Sequence, residues 1–275
     1  MAGIEPVTHQ FGVTNPLAWY RTRPGEIALS VFVFVGCVAL WWGYIRYTSL
    51  SPLVLPTPYE VLLSLIDNTR SGYLLENCWV TLSEILLGFA LGSALGIALG
   101  TVAAINPLIR NVLSPYIVAS QAMPKLAMAP IMVIWLGFGI APKVVVAALI
   151  CFFPLFENTV VGLTSVDSEE AELFRSLSAN AWQTFVKLRI PHALPIMFTG
   201  LRVAITLAVV GAVVGEYVGA NRGLGALIIV AQGAFDTPLM FALFVYLTII
   251  GIVLYKVMEY LERTFFAWRY IGREG

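Results

Sequence analysis

Six stretches of this chain are apolar enough and long enough to cross a lipid bilayer as helices. They lie near residues 27–45, 79–104, 113–138, 142–164, 196–220 and 238–258. A helix needs about 20 apolar residues to span the hydrocarbon core, where only structures that pair all of their own backbone groups are stable. The sequence therefore predicts an all-α fold, a polytopic membrane helix bundle of about six transmembrane helices.

The composition and the first apolar run support this fold class. Charged residues make up 12% of the 275 residues, whereas a soluble domain carries about a quarter. A cleaved signal peptide is the alternative for the first run, but that run is long, ends in Trp41-Trp42 and lacks a small-residue cleavage pattern. We predict a tail over 1–26, a transmembrane domain over 27–262 and a second tail over 263–275.

The distribution of lysine and arginine predicts the orientation. With the N-terminus in the cytoplasm, eleven Lys and Arg residues lie on the cytoplasmic side and four, including Lys143 and Arg222, lie outside. Positive charge accumulates on the cytoplasmic side of membrane proteins. We therefore expect a multi-pass protein of a bacterial-type cytoplasmic (inner) membrane, in contact with lipid and with both termini in the cytoplasm.

A polar segment over residues 167–195 separates two of the apolar runs on the cytoplasmic side. Asp167 or Ser168 can cap a first short helix, and Asn180 can cap a second one. Pro191 and Pro195 are expected to end this second helix. A passive solvated loop is the alternative, but two cap signals and exposed apolar side chains such as Trp182 favour an element that docks a partner.

The second apolar run carries a glycine at every fourth position. Gly88, Gly92, Gly96 and Gly100 share one face of the predicted helix. Such a face allows another helix to approach closely. The partner is either another helix of the same chain, which we favour, or the same helix in a homodimer.

Ionisable and polar residues at membrane depth are candidates for a translocation pathway, because burying them there is costly. The candidates are Lys125, Glu157, Asn158 and Glu216. The prolines around Lys125 could break the helix and free backbone groups to line a cavity. The alternatives are that Lys125 snorkels to the interface or forms a structural ion pair, and that Glu157 pairs with Lys125 or Arg202 or snorkels to the cytoplasm.

The segment from Glu172 to Pro195 resembles the cytoplasmic EAA loop of ABC importer permeases. Aligned on Pro191, Glu172 falls on the acid of that motif and Ser178 on its glycine, while Leu173 and Phe174 replace its two alanines. The segments 55–58, 86–92, 134–139, 152–154, 199–202 and 216–225 resemble the permeases that serve sulfonates, taurine, nitrate and related organic solutes. Together these matches cover roughly residues 50 to 262 in order.

The resemblance implies a homodimer of permeases, two copies of an ABC ATPase subunit and an extracytoplasmic solute-binding protein. The ATPase-coupling residues would be Glu172, Arg175, Ser178, Ala179, Asn180 and Trp182. The carboxylate of Glu216 would serve in gating or in a contact between subunits. The substrate would be a small solute, sulfonate-like, nitrate-like, another organic anion or a heterocyclic precursor, moved inward.

The chain contains no Gly-rich phosphate loop followed by Lys and Ser or Thr. We therefore expect ATP and Mg to bind the partner ATPase, with no cofactor on this chain. No catalytic arrangement, metal-ligand spacing or nucleic-acid site is predicted. A secondary transporter driven by an ion gradient is the alternative function, although no internal repeat supports it, and a membrane scaffold is the third.

Overall fold

The computed structural model describes residues 23–48 and 51–266, and all of the regular secondary structure in these residues is helical. The helices are α1 (Arg23–Thr48), α2 (Pro58–Arg70), α3 (Tyr73–Ile105), α4 (Pro107–Ala122), α5 (Lys125–Leu136), α6 (Ile140–Thr164), α7 (Ser168–Ser176), α8 (Ala181–Thr184), α9 (Ile190–Glu216), α10 (Leu224–Gly233) and α11 (Thr237–Phe265). This confirms the predicted all-α class.

Five of the described helical segments are long and apolar enough to cross a membrane. They are Pro24–Thr48, Tyr73–Ile105, Ile140–Thr164, Ala181–Glu216 and Thr237–Phe265. A sixth span exists if α4 and α5 are taken together, although they are bent by 106°. α1 begins before its predicted span and α11 ends beyond its own, so these two helices extend into the two predicted tails, whereas α9 ends at Glu216, before the predicted end at 220.

The bend between α4 and α5 corrects the single third span predicted over 113–138. Met123 and Pro124 both have extended backbone conformations, with ψ angles of 133° and 98°. Proline disfavours a helical conformation in the residue before it and cannot donate a backbone hydrogen bond. The Met123-Pro124 step therefore breaks this stretch into two helices.

The chain divides into two compact units, residues 1–60 and 61–275. The predicted transmembrane domain over 27–262 includes parts of both. In the first unit, α1 exposes large apolar side chains along its length, including Phe32, Phe34 and Leu40. An apolar helix of this kind suits direct contact with lipid.

In the second unit, α3, α6 and α9 form the centre of the bundle. The glycine face of α3 lies directly on α6: a Cβ atom added at Gly92 would lie 2.5 Å from the carbonyl oxygen of Ala148, and one at Gly96 would lie 2.8 Å from that of Phe152. Of the two partners left open by the sequence, the structure therefore shows a helix of the same chain.

The contacts along this face have a constant register. Each glycine meets the residues 56 and 59 positions later in the chain, as Gly88 meets Ala147 and Gly100 meets Thr159 at 59, so the two helices run parallel. α6 also packs against α9, where Gly215 meets Lys143. Because Gly200 of α9 meets Asn158 further along α6, α9 runs antiparallel to α6.

The polar segment folds into α7 and α8, but its second helix does not end at Pro191 and Pro195 as predicted. α8 continues through a π-helical turn, Phe185–Arg189, into α9. Pro191 lies in the first turn of α9, directly after this π-helical turn, and does not end the helical path. We call residues Ser168–Arg189 the coupling element.

Candidate functional site

The first helix of the coupling element begins at a side-chain cap. The Asp167 side chain accepts a hydrogen bond of 3.3 Å from the backbone N–H of Glu169. Glu169 and Glu170 lie in the first turn and Arg175 in the last. This charge order favours the helix because its dipole is positive at the N-terminus and negative at the C-terminus.

The turn between the two helices has a conformation that favours glycine. Ser178 has a φ angle of +53°. The N–H of Ala179 donates to the carbonyl of Phe174 at 3.0 Å, the six-residue closure that ends many helices with a left-handed residue. The Ser178 position, which matches the glycine of the EAA motif, therefore needs a left-handed residue, and serine adopts that conformation at some cost in energy.

The second helix of the coupling element begins at a complete capping box. The Asn180 side chain accepts from the N–H of Gln183 at 2.8 Å, and the Gln183 side chain accepts from the N–H of Asn180 at 2.9 Å. This confirms the predicted cap. Trp182 follows, 71% exposed, with its ring centroid 6.1 Å from that of Phe185.

The structure brings the predicted coupling residues to one solvent-facing element. Glu172, Arg175, Ser178, Asn180 and Trp182 are exposed, and Ala179 is half-buried. Two capped helices hold these residues in a fixed arrangement, as a docking surface requires.

A second site, not predicted from the sequence, is a buried ion pair between α3 and α6. Lys143 Nζ lies 2.6 Å from Glu84 Oε1, and the Glu84 residue is 1% exposed. These two residues are also 59 apart. The pair therefore continues the contact register of the glycine face by one further helical turn.

Glu216 lies beside this pair at the end of α9. Its carboxylate accepts hydrogen bonds from Thr81 Oγ1 at 2.7 Å and from the Gly225 N–H at 2.5 Å. A Cβ atom added at Gly223 would clash with the Glu216 carboxylate, and its φ of +117° also favours glycine there. Glu216 is thus buried inside its own chain, and its role in gating or in a contact between subunits stays a prediction.

The same site holds the connection between α9 and α10. Asn77 Oδ1 accepts from the Gly223 N–H and Thr81 Oγ1 accepts from the Leu224 N–H, both at 2.8 Å. Lys143 Nζ lies 3.5 Å from the carbonyl oxygen of Arg222. We call Asn77, Thr81, Glu84, Lys143 and Glu216 the buried polar cluster.

The remaining pathway candidates do not join this cluster. Glu157 is exposed and forms no ion pair or hydrogen bond with any residue that the structure describes. Lys143 and Glu157 are separated by roughly 20 Å along α6, from the helical rise per residue. Asn158 donates to the Pro154 carbonyl at 2.7 Å and faces Gly200. The Lys125 side chain lies outside the described part of the structure.

Arg202 has a partner other than Glu157. Its guanidinium lies 2.9 Å from Glu262 of α11 and 5.9 Å from the centroid of the Tyr255 ring. The pairing of Glu157 with Arg202 that the sequence left open is therefore wrong. The ion pair with Glu262 instead ties α9 to α11.

Sequence comparison relates the chain to known proteins. Residues 92–266 match the family described as binding-protein-dependent transport system inner membrane component. The riboflavin transport system permease protein RibX of Chloroflexus aurantiacus is 40% identical over 84% of this chain and 86% of its own length. The formylaminopyrimidine transport permease protein ThiX of Halalkalibacterium halodurans is 39% identical, over 79% and 87%.

A sulfonate permease and a solved transporter are also similar. The putative aliphatic sulfonates transport permease protein SsuC of Bacillus subtilis is 31% identical over 84% of both chains. An inward-facing structure of the MetNI methionine ABC transporter superposes with a TM-score of 0.61, covering 70% of this chain and 95% of the matched chain at 20% identity. That structural similarity supports the fold.

Proposed function

Because the chain belongs to the family of binding-protein-dependent transport inner membrane components, and is thus the permease subunit of an ABC importer, we propose that its coupling element receives the movement of a separate ATPase. In this proposal, two copies of the permease pair with each other, and two ATPase subunits carry ATP and Mg. The observation that carries it is the coupling element itself: two capped helices that present Glu172, Asn180 and Trp182 to solvent.

The rigid connection from this element to the bundle supports the mechanism. α8 runs without a break through the π-helical turn into α9, so a push on Trp182 acts on a single continuous span. α9 packs along α6 through Gly200, Gly211 and Gly215. Closely packed interfaces switch between discrete arrangements rather than deform, so movement of α9 would carry α6 with it.

The buried polar cluster gives α9 a fixed point at its other end. Glu216 and Thr81 hold the N–H groups of Gly225 and Leu224, which open α10. In our proposal this end is the external gate, and the coupling element lies in the cytoplasm together with both termini. An external binding protein would deliver the substrate at the gate.

We propose a small heterocycle, of the flavin or pyrimidine-precursor kind, as the substrate. The relatives named for riboflavin and formylaminopyrimidine are 40% and 39% identical to this chain, and the one named for aliphatic sulfonates is 31% identical. Lys125, Glu157 and Asn158 remain candidates for the pathway. A carboxylate and an amide suit the ring nitrogens and amino groups of such a substrate.

Reconstitution tests the function. The permease is placed in proteoliposomes with its candidate ATPase and binding protein, and uptake of labelled riboflavin, formylaminopyrimidine and taurine is measured. We expect uptake of a heterocycle that requires internal ATP and stops when the ATPase is omitted. Uptake that follows a proton or sodium gradient without ATP would support a secondary transporter instead, and uptake of taurine alone would overturn the substrate assignment.

A further inference from the structure

A cavity of about 760 Å³ lies between the coupling element and the ends of two spans. Its walls include Ala104 near the end of α3, Leu163 near the end of α6, and Phe185. Because both spans end here, the cavity lies at the depth where lipid headgroups meet water.

Three arginines line this cavity: Arg110, Arg175 and Arg189. Aspartate and glutamate are absent from the described lining. None of the three guanidinium groups forms an ion pair or hydrogen bond with a residue that the structure describes. Arg202, by contrast, is paired with Glu262.

Arg189 is half-buried, while Arg110 and Arg175 are exposed at the rim. Guanidinium groups recognise phosphate through paired, charge-assisted hydrogen bonds. The concentration of positive charge in one cavity without a protein counter-ion therefore indicates an anionic ligand that carries phosphate.

The rest of the lining distinguishes a lipid from a free ion. Ala103, Leu163, Phe185 and Leu188 form apolar walls that continue the surfaces of the spans. A free phosphate ion would gain nothing from apolar walls, whereas a phospholipid would place its acyl chains against them.

We propose that this cavity binds an anionic phospholipid of the leaflet that faces the coupling element. The phosphate lies between Arg110, Arg175 and Arg189, and the first carbons of the acyl chains lie against Leu163 and Phe185. Basic pockets at the membrane surface select anionic headgroups in this way. The lipid would fill the space beneath the coupling element and brace it against α3 and α6.

Native mass spectrometry of the full-length chain in detergent tests the site. Dioctanoyl phosphatidylglycerol is titrated against the wild type and the double variant Arg110→Gln/Arg189→Gln. We expect roughly a 10- to 30-fold loss of affinity in the double variant, from the electrostatic contribution of two basic residues at an anionic surface. The matched control is Lys187→Gln, which removes an exposed charge of the same π-helical turn that does not line the cavity and is expected to bind normally.

Further variants and ligands keep the result interpretable. Arg110→Lys retains the charge and is expected to lose only a few-fold in affinity, and thermal melts verify that each variant is folded. Equal binding of phosphatidylglycerol and phosphatidylcholine, or an unchanged affinity in the double variant, would overturn the proposal. Competition by millimolar inorganic phosphate would assign the site to a free anion, and release of the lipid on adding the ATPase would assign it to that protein interface.

Discussion

The ion pair between Glu84 and Lys143 provides the sharpest test of the buried polar cluster. Replacing Lys143 by Met removes the amine 2.6 Å from Glu84 Oε1, while the other carboxylate oxygen, Oε2, has no hydrogen-bond partner in the described structure. Glu84 would then be a buried carboxyl group that either stays charged without a counter-ion or has to take up a proton, and both lower the stability of the fold. Removing one partner of a buried pair typically costs about 3–5 kcal/mol.

The double variant separates the loss of the pair from a simple packing defect. With Glu84→Met added to Lys143→Met, both members of the pair are gone, which is often close to neutral for a buried pair, and the remaining difference is side-chain packing together with the loss of the Lys143 charge near Glu216. We expect the double variant to regain most of the lost stability. Arg222→Gln is the control for an exposed pair, because Arg222 and Glu76 are 3.3 Å apart and both exposed, and it should cost less than about 1 kcal/mol.

The measurement is the free energy of unfolding in dodecyl maltoside micelles titrated with dodecyl sulfate, followed by tryptophan fluorescence. A loss of about 3 kcal/mol shifts the folding equilibrium roughly 150-fold, which is easily resolved. The reasoning would be refuted if Lys143→Met lost no more than Arg222→Gln, or if the double variant were as unstable as Lys143→Met alone.

Three further predictions concern helix packing and the coupling element. Gly96→Ala should lower stability by about 1–3 kcal/mol in the same unfolding assay, because its Cβ would overpack against Phe152. Gly251→Ala is the control, because open space surrounds Gly251, and it should not lower stability. Equal losses in the two variants would contradict the packing of α3 on α6. Ser178→Gly should raise the melting temperature of the permease and retain uptake, since glycine adopts a φ angle of +53° without strain. A lower melting temperature in this variant would argue against a strained serine. Asn180→Ala should destabilise α8 by about 1 kcal/mol and speed its amide hydrogen exchange, and unchanged exchange would rule out a functional cap.

Local signals in the sequence predicted local features well. Asp167 and the Asn180–Gln183 box lie where they were expected, because a cap depends only on residues three or four positions apart. The membrane spans could be predicted because the length of an apolar run is enough to identify a transmembrane helix. The continuation past Pro191 was missed, since a proline in the first turn of a following helix is compatible with an unbroken path.

Features that depend on the register between helices could not be predicted in this way. Glu84 and Lys143 are far apart in sequence, and their pairing follows from how α3 packs on α6. One signal was available: Glu84 is an ionisable residue inside an apolar run, one helical turn before Gly88, and such residues merit attention by default. α10 was missed because its ten residues are too few for a span.

Transport by a Trp182 variant tests the central claim, that ATP-driven movement enters the bundle through the coupling element. Trp182 and Trp79 are both exposed, at 71% and 72%, but Trp79 lies near the opposite end of the bundle. Uptake and ATP hydrolysis are measured together in proteoliposomes for Trp182→Ala and for Trp79→Ala. The account predicts that Trp182→Ala loses most of its uptake per ATP hydrolysed while Trp79→Ala retains it; normal uptake per ATP in Trp182→Ala would contradict the claim.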